Sequence, residues 1–331
     1  MLLIPVIIGV SILTFVITRA AGDPAFSYLK NPQRATPDEI QAIRDKYHLE
    51  EPIYVQYVYW FKGVLNGDLG YSQTANMYVT QAIKEKFPAT FELAILATFF
   101  AVIIGIYSGT QSAVRANSAV DQSTRVVSLV AVSIPVFWLG LMLLMIFYYR
   151  LGIAPAPTGR YTTPLFRAED IHTYTNFLLV DTLLNGRLDF FWDVLKHLIL
   201  PAITLAFATT AIIVRMMRSS MLEVLGSEYV KTARSKGLPE KVVINKHARR
   251  NALIPTTTVI GLSFGGLLGG AVLTETIFNW PGLGQWSAVA ALNLDTAGIM
   301  GFTLLTAVIY VLANLFVDLI YAYLDPRVRL G

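Results

Sequence analysis

Residues 215 to 251 read RMMRSSMLEVLGSEYVKTARSKGLPEKVVINKHARRN, a densely basic, helix-forming segment between two long apolar runs. A polar segment so placed is a loop held against a membrane. Nine of the 26 Lys and Arg of the chain lie between Arg215 and Arg250, and a Lys/Arg excess close to span ends marks the cytoplasmic side. Ser220-Met221-Leu222-Glu223 has the form of a capping box and predicts a helix start there. A second helical stretch, Glu228 to Lys236, stops at Gly237, and Pro239 can open a further helix at its first turn. Two short helices joined by a glycine elbow are therefore expected. Tyr229, Val230 and Ala233 fall at i, i+1 and i+4 and would form an apolar ridge flanked by Lys231, Arg234 and Lys236. A DNA-binding helix-turn-helix looks similar, but tethers on both sides leave it little reach, so no nucleic-acid partner is expected. A docking surface for protein fits better.

Working outward, the composition agrees with a polytopic membrane protein. Only 15% of the 331 residues are charged and the mean hydropathy is +0.54. Five runs lack Asp, Glu, Lys and Arg and reach the about 18–20 residues that cross a hydrocarbon core as helix. They are Met1 to Thr18, Leu93 to Val114, Val126 to Tyr149, Ala252 to Thr274 and Thr296 to Val317. A shorter run, Leu198 to Val214, makes a sixth span, with Trp192 and His197 as anchors at its outer end. The first run has no Lys or Arg ahead of its apolar core, so it reads as a retained span and not as a cleaved signal. The absence of cysteine removes disulfides and thiolate metal sites.

With the basic segment inside, alternation places Arg19–Glu92, Arg150–His197 and Glu275–Asp295 outside, and Arg115–Arg125 and both termini in the cytoplasm. The long first outer segment is structured: Thr36-Pro37-Asp38-Glu39 has the cap, proline and acidic first turn of a helix start, and Tyr47 to Leu65 carries apolar residues at helical spacing. The expected division is a first span plus outer helices over residues 1–92, a five-helix core over 93–324 containing the loop 215–251, and a cytoplasmic tail over 325–331.

Gly261, Gly265 and Gly269 place small residues at every fourth position of the fifth span, which allows close helix packing or, alternatively, lines a pathway. Pro135, Pro201 and Pro255 fall inside spans and predict kinks. Arg19, Glu92, Asp193, His197, Glu275 and Asp318 sit at span ends, where snorkelling and interfacial hydration are the ordinary explanation. No phosphate-binding loop of the form G-x-x-x-x-G-K-[ST] and no H-E-x-x-H occurs, so neither ATP cradling by that device nor zinc-peptidase chemistry is indicated.

Glu228-Tyr229-Val230-Lys231-Thr232-Ala233-Arg234-Ser235-Lys236-Gly237-Leu238, followed by His247 to Pro255, resembles the cytoplasmic EAA loop of binding-protein-dependent ABC importers. More narrowly it is similar to B-type permeases of the dipeptide, oligopeptide and nickel branch. The resemblance runs nearly end to end, through Gly22-Asp23-Pro24-Ala25, His197 to Ala202, Phe264 to Val272, Glu275 to Gly284 and Asp325-Pro326-Arg327. Two departures stand out: Lys231-Thr232-Ala233 replaces the general Glu-Ala-Ala, and Asp295-Thr296-Ala297 replaces Asp-Tyr-Pro.

The resemblance implies an all-α, six-span permease subunit of the type I (MetI-like) importer fold. It would work by alternating access on di- or oligopeptides, with oligosaccharides or nickel chelates as alternative cargo. Implied partners are a second, C-type permease, two ATP-binding subunits and an extracytoplasmic solute-binding protein. The chain itself would bind no cofactor, ATP and Mg being used by the ATPase subunits. The loop Glu228, Tyr229, Val230, Ala233, Arg234, Lys236, Gly237 and Leu238 would couple it to them. A gradient-driven secondary transporter is the competing class; it would need an ionisable residue at mid-membrane.

Overall fold

The computed structural model of the chain describes residues 3 to 324 except 22, 30–33, 164 and 270. The expected tail and two residues of the matching motifs, Gly22 and Gly270, therefore lie outside the described residues, as does the side chain of Asp318.

The chain begins with α1 (Leu3–Ala21), followed by the shorter helices α2 (Pro37–Lys46) and α3 (Ile53–Leu65). Helix α2 starts where the sequence placed a helix start, and its cap is a capping box, Thr36 accepting from the Glu39 amide and Glu39 from that of Thr36. A two-residue-per-strand antiparallel hairpin follows, β1 (Tyr71–Ser72) with β2 (Met77–Tyr78), turning at Asn76 with φ +55°. Then come α4 (Val79–Val114), α5 (Ala119–Ser133), α6 (Val136–Leu143), α7 (Leu178–Leu184) and α8 (Leu188–Leu225). The loop helix α9 (Glu228–Ser235) leads to α10 (Glu240–Val242), which runs through a wider π turn at Val243–Ala248 into α11 (Arg249–Leu268). Helices α12 (Val272–Ile277), α13 (Leu283–Leu292) and α14 (Thr296–Leu324) complete it.

Four helices are long and apolar enough to cross a membrane alone: α4, α8, the continuous Glu240–Leu268 and α14. A fifth crossing is a broken one, α5 and α6 meeting at 100°. Helix α1 has 19 residues, and at 1.5 Å per residue this gives about 28 Å, close to a hydrocarbon core. Among the described residues, the six expected spans correspond to four long helices, one broken pair and the shorter α1.

The prolines differ in effect. Pro135 caps α6 at the break, whereas Pro201 and Pro255 sit within unbroken α8 and α11. The short run Leu198–Val214 belongs to a helix of 38 residues, about 57 Å long, because polar turns at both ends continue the helix beyond the apolar part. His197 is no interfacial anchor: it is buried, with Nδ1 2.9 Å from the Asp193 carbonyl.

The core is the contact of α4 with α8. Ala89, Ala97, Ala101, Gly105, Gly109 and Ala113 fall on one stripe of α4 and are all buried. Ala89, Ala97 and Ala101 pack with Leu198, Ala202, Leu205, Ala206 and Ile213, and Ala113 with Met217 and Met221. A Cβ on Gly105 would lie 2.6 Å from Ile213, and one on Gly109 2.8 Å from both Met217 and the Val214 carbonyl. The fifth-span glycines pack instead on α14, where Cβ atoms on Gly261, Gly265 and Gly269 would meet Val317, Ala313 and Thr306.

These contacts predict that Gly109→Leu costs about 1–3 kcal/mol by overpacking, read as a fall in the melting temperature of the purified protein. Gly266→Ala, where a Cβ meets nothing within 4 Å, is expected to leave that temperature unchanged or higher.

Candidate functional site

The basic loop folds as an elbow at the end of the α8 rod. The expected helix start at Ser220 does not exist. Ser220 lies within α8, which continues to Leu225 because Met217 and Met221 on the same face are fully buried against α4 and α11 residues. The chain turns at Gly226, and Ser227, in extended conformation, begins α9. Pro239 caps α10 and does not occupy its first turn.

Helix α9 closes in a Schellman arrangement. Gly237 N–H donates to the Arg234 carbonyl at 2.9 Å and Leu238 N–H to the Ala233 carbonyl at 3.4 Å. Gly237 has φ +74°, a conformation in which any L side chain is strained. A Cβ there would touch nothing, so backbone conformation and not space calls for glycine.

The apolar positions point the other way from the expected ridge. Val230 and Ala233 are buried against Val243, Val224 and Leu225, so they hold the elbow together. An isolated helix of eight residues is marginal in water; full burial of Val230 supplies about 1.5 kcal/mol toward it. Tyr229 stays exposed and its hydroxyl accepts from Asn251 Nδ2 at 2.8 Å, tying α9 to α11.

The outward surface is polar: Glu228, Tyr229, Lys231, Arg234, Lys236 and Leu238 are exposed. Lys231 pairs with Glu228 at 2.7 Å, and Arg234 forms a two-pronged pair with Glu240 at 2.7 and 3.2 Å. The hydrogen bond to Glu240 raises the Arg234 pKa above its ordinary value. The elbow therefore presents Tyr229 and Leu238 set in a frame of mostly self-paired charges.

Behind the elbow, α8 is locked to the loop between α4 and α5. Asp121 is fully buried and accepts from Arg218 Nε and Nη2 at 2.6 and 2.8 Å, from Ser112 Oγ at 2.6 Å and from the Asn117 amide at 3.0 Å. Sequence reasoning missed this pair, although Ser118-x-x-Asp121 carries the signature of a helix start.

The opposite end of α4 holds two more buried carboxylates, and the snorkelling expected for them is overturned. Glu92 is paired with Arg160 and accepts from the Leu179 amide at 2.9 Å, joining α4 to the segment before α8. Glu275, with no exposed surface, accepts from Thr90 Oγ1 at 2.7 Å and from the Gln285 amide at 2.9 Å. Trp280 donates from Nε1 to the Ala89 carbonyl at 2.8 Å. A side chain on Gly282 would collide with Thr90 and Glu275. The Glu275–Gly284 motif is therefore a fold lock against α4. Asp295, also buried, accepts from Ser72, from the amide and hydroxyl of Thr74, and from the Gly298 amide. It fastens the hairpin to the start of α14. Among the described residues no cluster of His, Cys, Asp and Glu could hold a metal ion.

Two family models match the chain. Residues 101–330 match the binding-protein-dependent transport system inner membrane component, and residues 1–94 the N-terminal part of such membrane components. The chain is 46% identical over 330 residues to the dipeptide transport system permease protein DppB of Alkalihalophilus pseudofirmus, covering 99% of this chain and 97% of the relative. It is 42% identical to the probable D,D-dipeptide transport system permease protein DdpB of Escherichia coli, covering 99% and 95%. It is 38% identical to the oligopeptide transport system permease protein AppB of Bacillus subtilis, covering 98% and 96%.

The Asp121 lock makes a thermodynamic prediction. Asp121→Asn should cost about 1–3 kcal/mol, less than a fully buried pair because Arg218 is partly exposed. Asp121→Asn combined with Arg218→Gln is expected to cost less than the sum of the two single changes, measured as a double-mutant cycle on thermal stability.

Proposed function

The chain belongs to the family of binding-protein-dependent transport system inner membrane components, and from that premise we propose that it is a permease subunit of an ATP-driven importer of di- and oligopeptides. The names of its relatives support the cargo. The observation that carries the mechanism is the single α8 helix of 38 residues ending in the α9 elbow. A rigid rod from the outer face to the basic loop can transmit a displacement at one end to the other.

In this reading α9 docks on an ATP-binding subunit, which supplies the ATP and Mg chemistry. Tyr229 and Leu238 form the contact, Lys236 adds positive charge, and Arg234 and Gly237 hold the shape. Val230 and Ala233 act from behind by seating the helix. A second permease of the C type completes the cavity, and a solute-binding protein delivers cargo to the outer face. The basic loop and both termini then lie in the cytoplasm, by the charge bias of residues 215–250. In the same reading, residues 1–92 supply the first span and the outer segment, with α2, α3 and the hairpin forming an outer layer, and 93–324 the transport core, although α4 (Val79–Val114) runs across that boundary.

Gly261, Gly265 and Gly269 serve as packing positions against α14. Pro201 and Pro255 lie in continuous helices; Pro135 sets the break in the third crossing.

Two outcomes test the proposal. Gly237→Val strains the elbow by about 1–3 kcal/mol. It is expected to reduce both peptide uptake and peptide-stimulated ATP hydrolysis by the reconstituted complex while the permease still inserts; unchanged values of both would refute the coupling role. In proteoliposomes holding the full complex and ATP, import is expected to persist when an ionophore collapses the ion gradients. Import that stops with the ionophore and survives ATP depletion would establish a secondary transporter instead.

A further inference from the structure

Helix α3 is three-sided. Tyr57, Trp60 and Val64 pack into the bundle with Phe15 of α1 and with Met300 and Leu304 of α14. Gln56, Tyr59 and Gly63 form a second flank, covered by the chain on either side of the helix. Gln56 Nε2 donates to the Leu49 and Glu51 carbonyls at 2.9 and 2.7 Å, His48 stacks on Tyr59 with ring centroids 3.8 Å apart, and Asp68 abuts Gly63. On the remaining flank Tyr54, Val58 and Leu65 fall at i, i+4 and i+11, a single stripe. They are 70%, 47% and 72% exposed.

The contacts fix the depth of each flank. The covered flank leads through Asp68, which accepts from the Tyr47 hydroxyl at 3.4 Å, and through Tyr47 stacked on Tyr28, to Arg19 at the charged end of α1. On the buried flank Trp60 meets Phe15, one turn further in. Tyr57 lies three residues from Tyr54 and so beside the stripe, and its hydroxyl is 2.8 Å from Ser11 Oγ. Ser11 is about 12 Å along the helix from Arg19, and Leu304 about 12 Å from the start of α14 at Thr296. Passing round α3, the contacts therefore descend from Arg19 to Phe15 to Ser11, and the stripe comes next. It lies at the level of apolar span, on the side of α3 that faces away from the charged end of α1. Lys62 leans the other way, its Nζ 5.7 Å from the centre of the Tyr59 ring on the covered flank, as an amine does when it snorkels out of an apolar layer.

We propose that α3 is an interfacial helix, lying in the plane of the membrane with Tyr54, Val58 and Leu65 among the acyl chains of the outer leaflet. Which leaflet it is follows from the orientation proposed above, with Arg19 on the outer side; the depth is set by the contacts alone. A protein delivering cargo from outside meets α2 and the covered flank, not the stripe. Tyrosine at the boundary and aliphatic side chains below it are the composition that such a position favours. Held by lipid on one flank and by α1 and α14 on another, α3 keeps the outer segment at a fixed height above the bundle.

The chain contains no cysteine, so Tyr54→Cys, Val58→Cys and Leu65→Cys can each carry one nitroxide label. The labelled chain is assembled into the complete transporter with cysteine-free partner subunits and reconstituted in bilayers of phosphatidylethanolamine and phosphatidylglycerol. Collision rates with oxygen, which concentrates in hydrocarbon, and with a water-soluble nickel chelate then report depth. All three labels are expected about 5–10 Å inside the boundary between headgroups and acyl chains, with oxygen the stronger relaxant. Labels at Asp38→Cys on α2 and at Glu51→Cys on the covering loop, both exposed positions, are expected to respond to the nickel chelate instead. Nickel access at the three stripe positions would place that flank in water and overturn the proposal. Shielding of the stripe from both reagents would put another protein over it and overturn the proposal likewise. The measurement needs no transport, so its outcome is independent of the coupling role of α9.

Discussion

Everything in this molecule is hung on the close approach of α4 and α8. Within a bilayer, apolar helices gain nothing by leaving lipid for each other, so association relies on packing at short range. The α4 stripe from Ala89 to Ala113 meets this requirement by removing side-chain bulk at nearly every fourth position. Ile213 and Met217 fill the space that Gly105 and Gly109 vacate. With that seam closed, α8 runs unbroken from Leu188 to the basic elbow, and α5, α11 and the α12–α13 segment find their places against it.

The ends of the seam are closed by charge instead of shape. Asp121 with Arg218 sits at the elbow end, while Glu92 with Arg160 and Glu275 with Thr90 sit at the other. Each carboxylate is surrounded by donors from two or more segments far apart in the chain. Burying an acidic group costs several kcal/mol unless it is so satisfied, and that condition makes register specific. A helix slipped by one turn along the seam would strand all three. Fold specificity at the membrane edges therefore comes from polar groups, and close packing between them from small ones.

Features decided by local chemistry were legible in the sequence. The elbow at Gly237 follows from helix termination, the α2 start from its cap, proline and acidic first turn, and the spans from hydropathy. What depends on distant partners was not. Glu92, Asp121 and Glu275 find theirs 68, 97 and 185 residues away, and no periodicity reports that. Ser220-x-x-Glu223 carries a valid capping signature, but the buried Met217 and Met221 hold the helix through it. Val230 and Ala233 are apolar at helical spacing, which says that they seek a neighbour without saying that the neighbour is Val243 on the next helix of the same chain.

The break at Pro135 has a further consequence. Where α5 ends and α6 begins at 100°, the last carbonyls of one helix lose their intrahelical donors, and Pro135 has no N–H to offer. Ser133 turns its hydroxyl back to the Leu129 carbonyl at 2.9 Å and Ile134 donates its N–H to the Val130 carbonyl at 3.1 Å, but the Ala131 carbonyl loses its usual donor four residues on, which is Pro135. Hydrocarbon cannot solvate bare peptide dipoles; water or another protein surface can. The elbow of the third crossing, beside an open hollow of about 500 Å³ lined by Leu129, Ile134 and Phe137, is consequently the point at depth where this chain is least compatible with lipid. It marks which side of the bundle turns away from the bilayer.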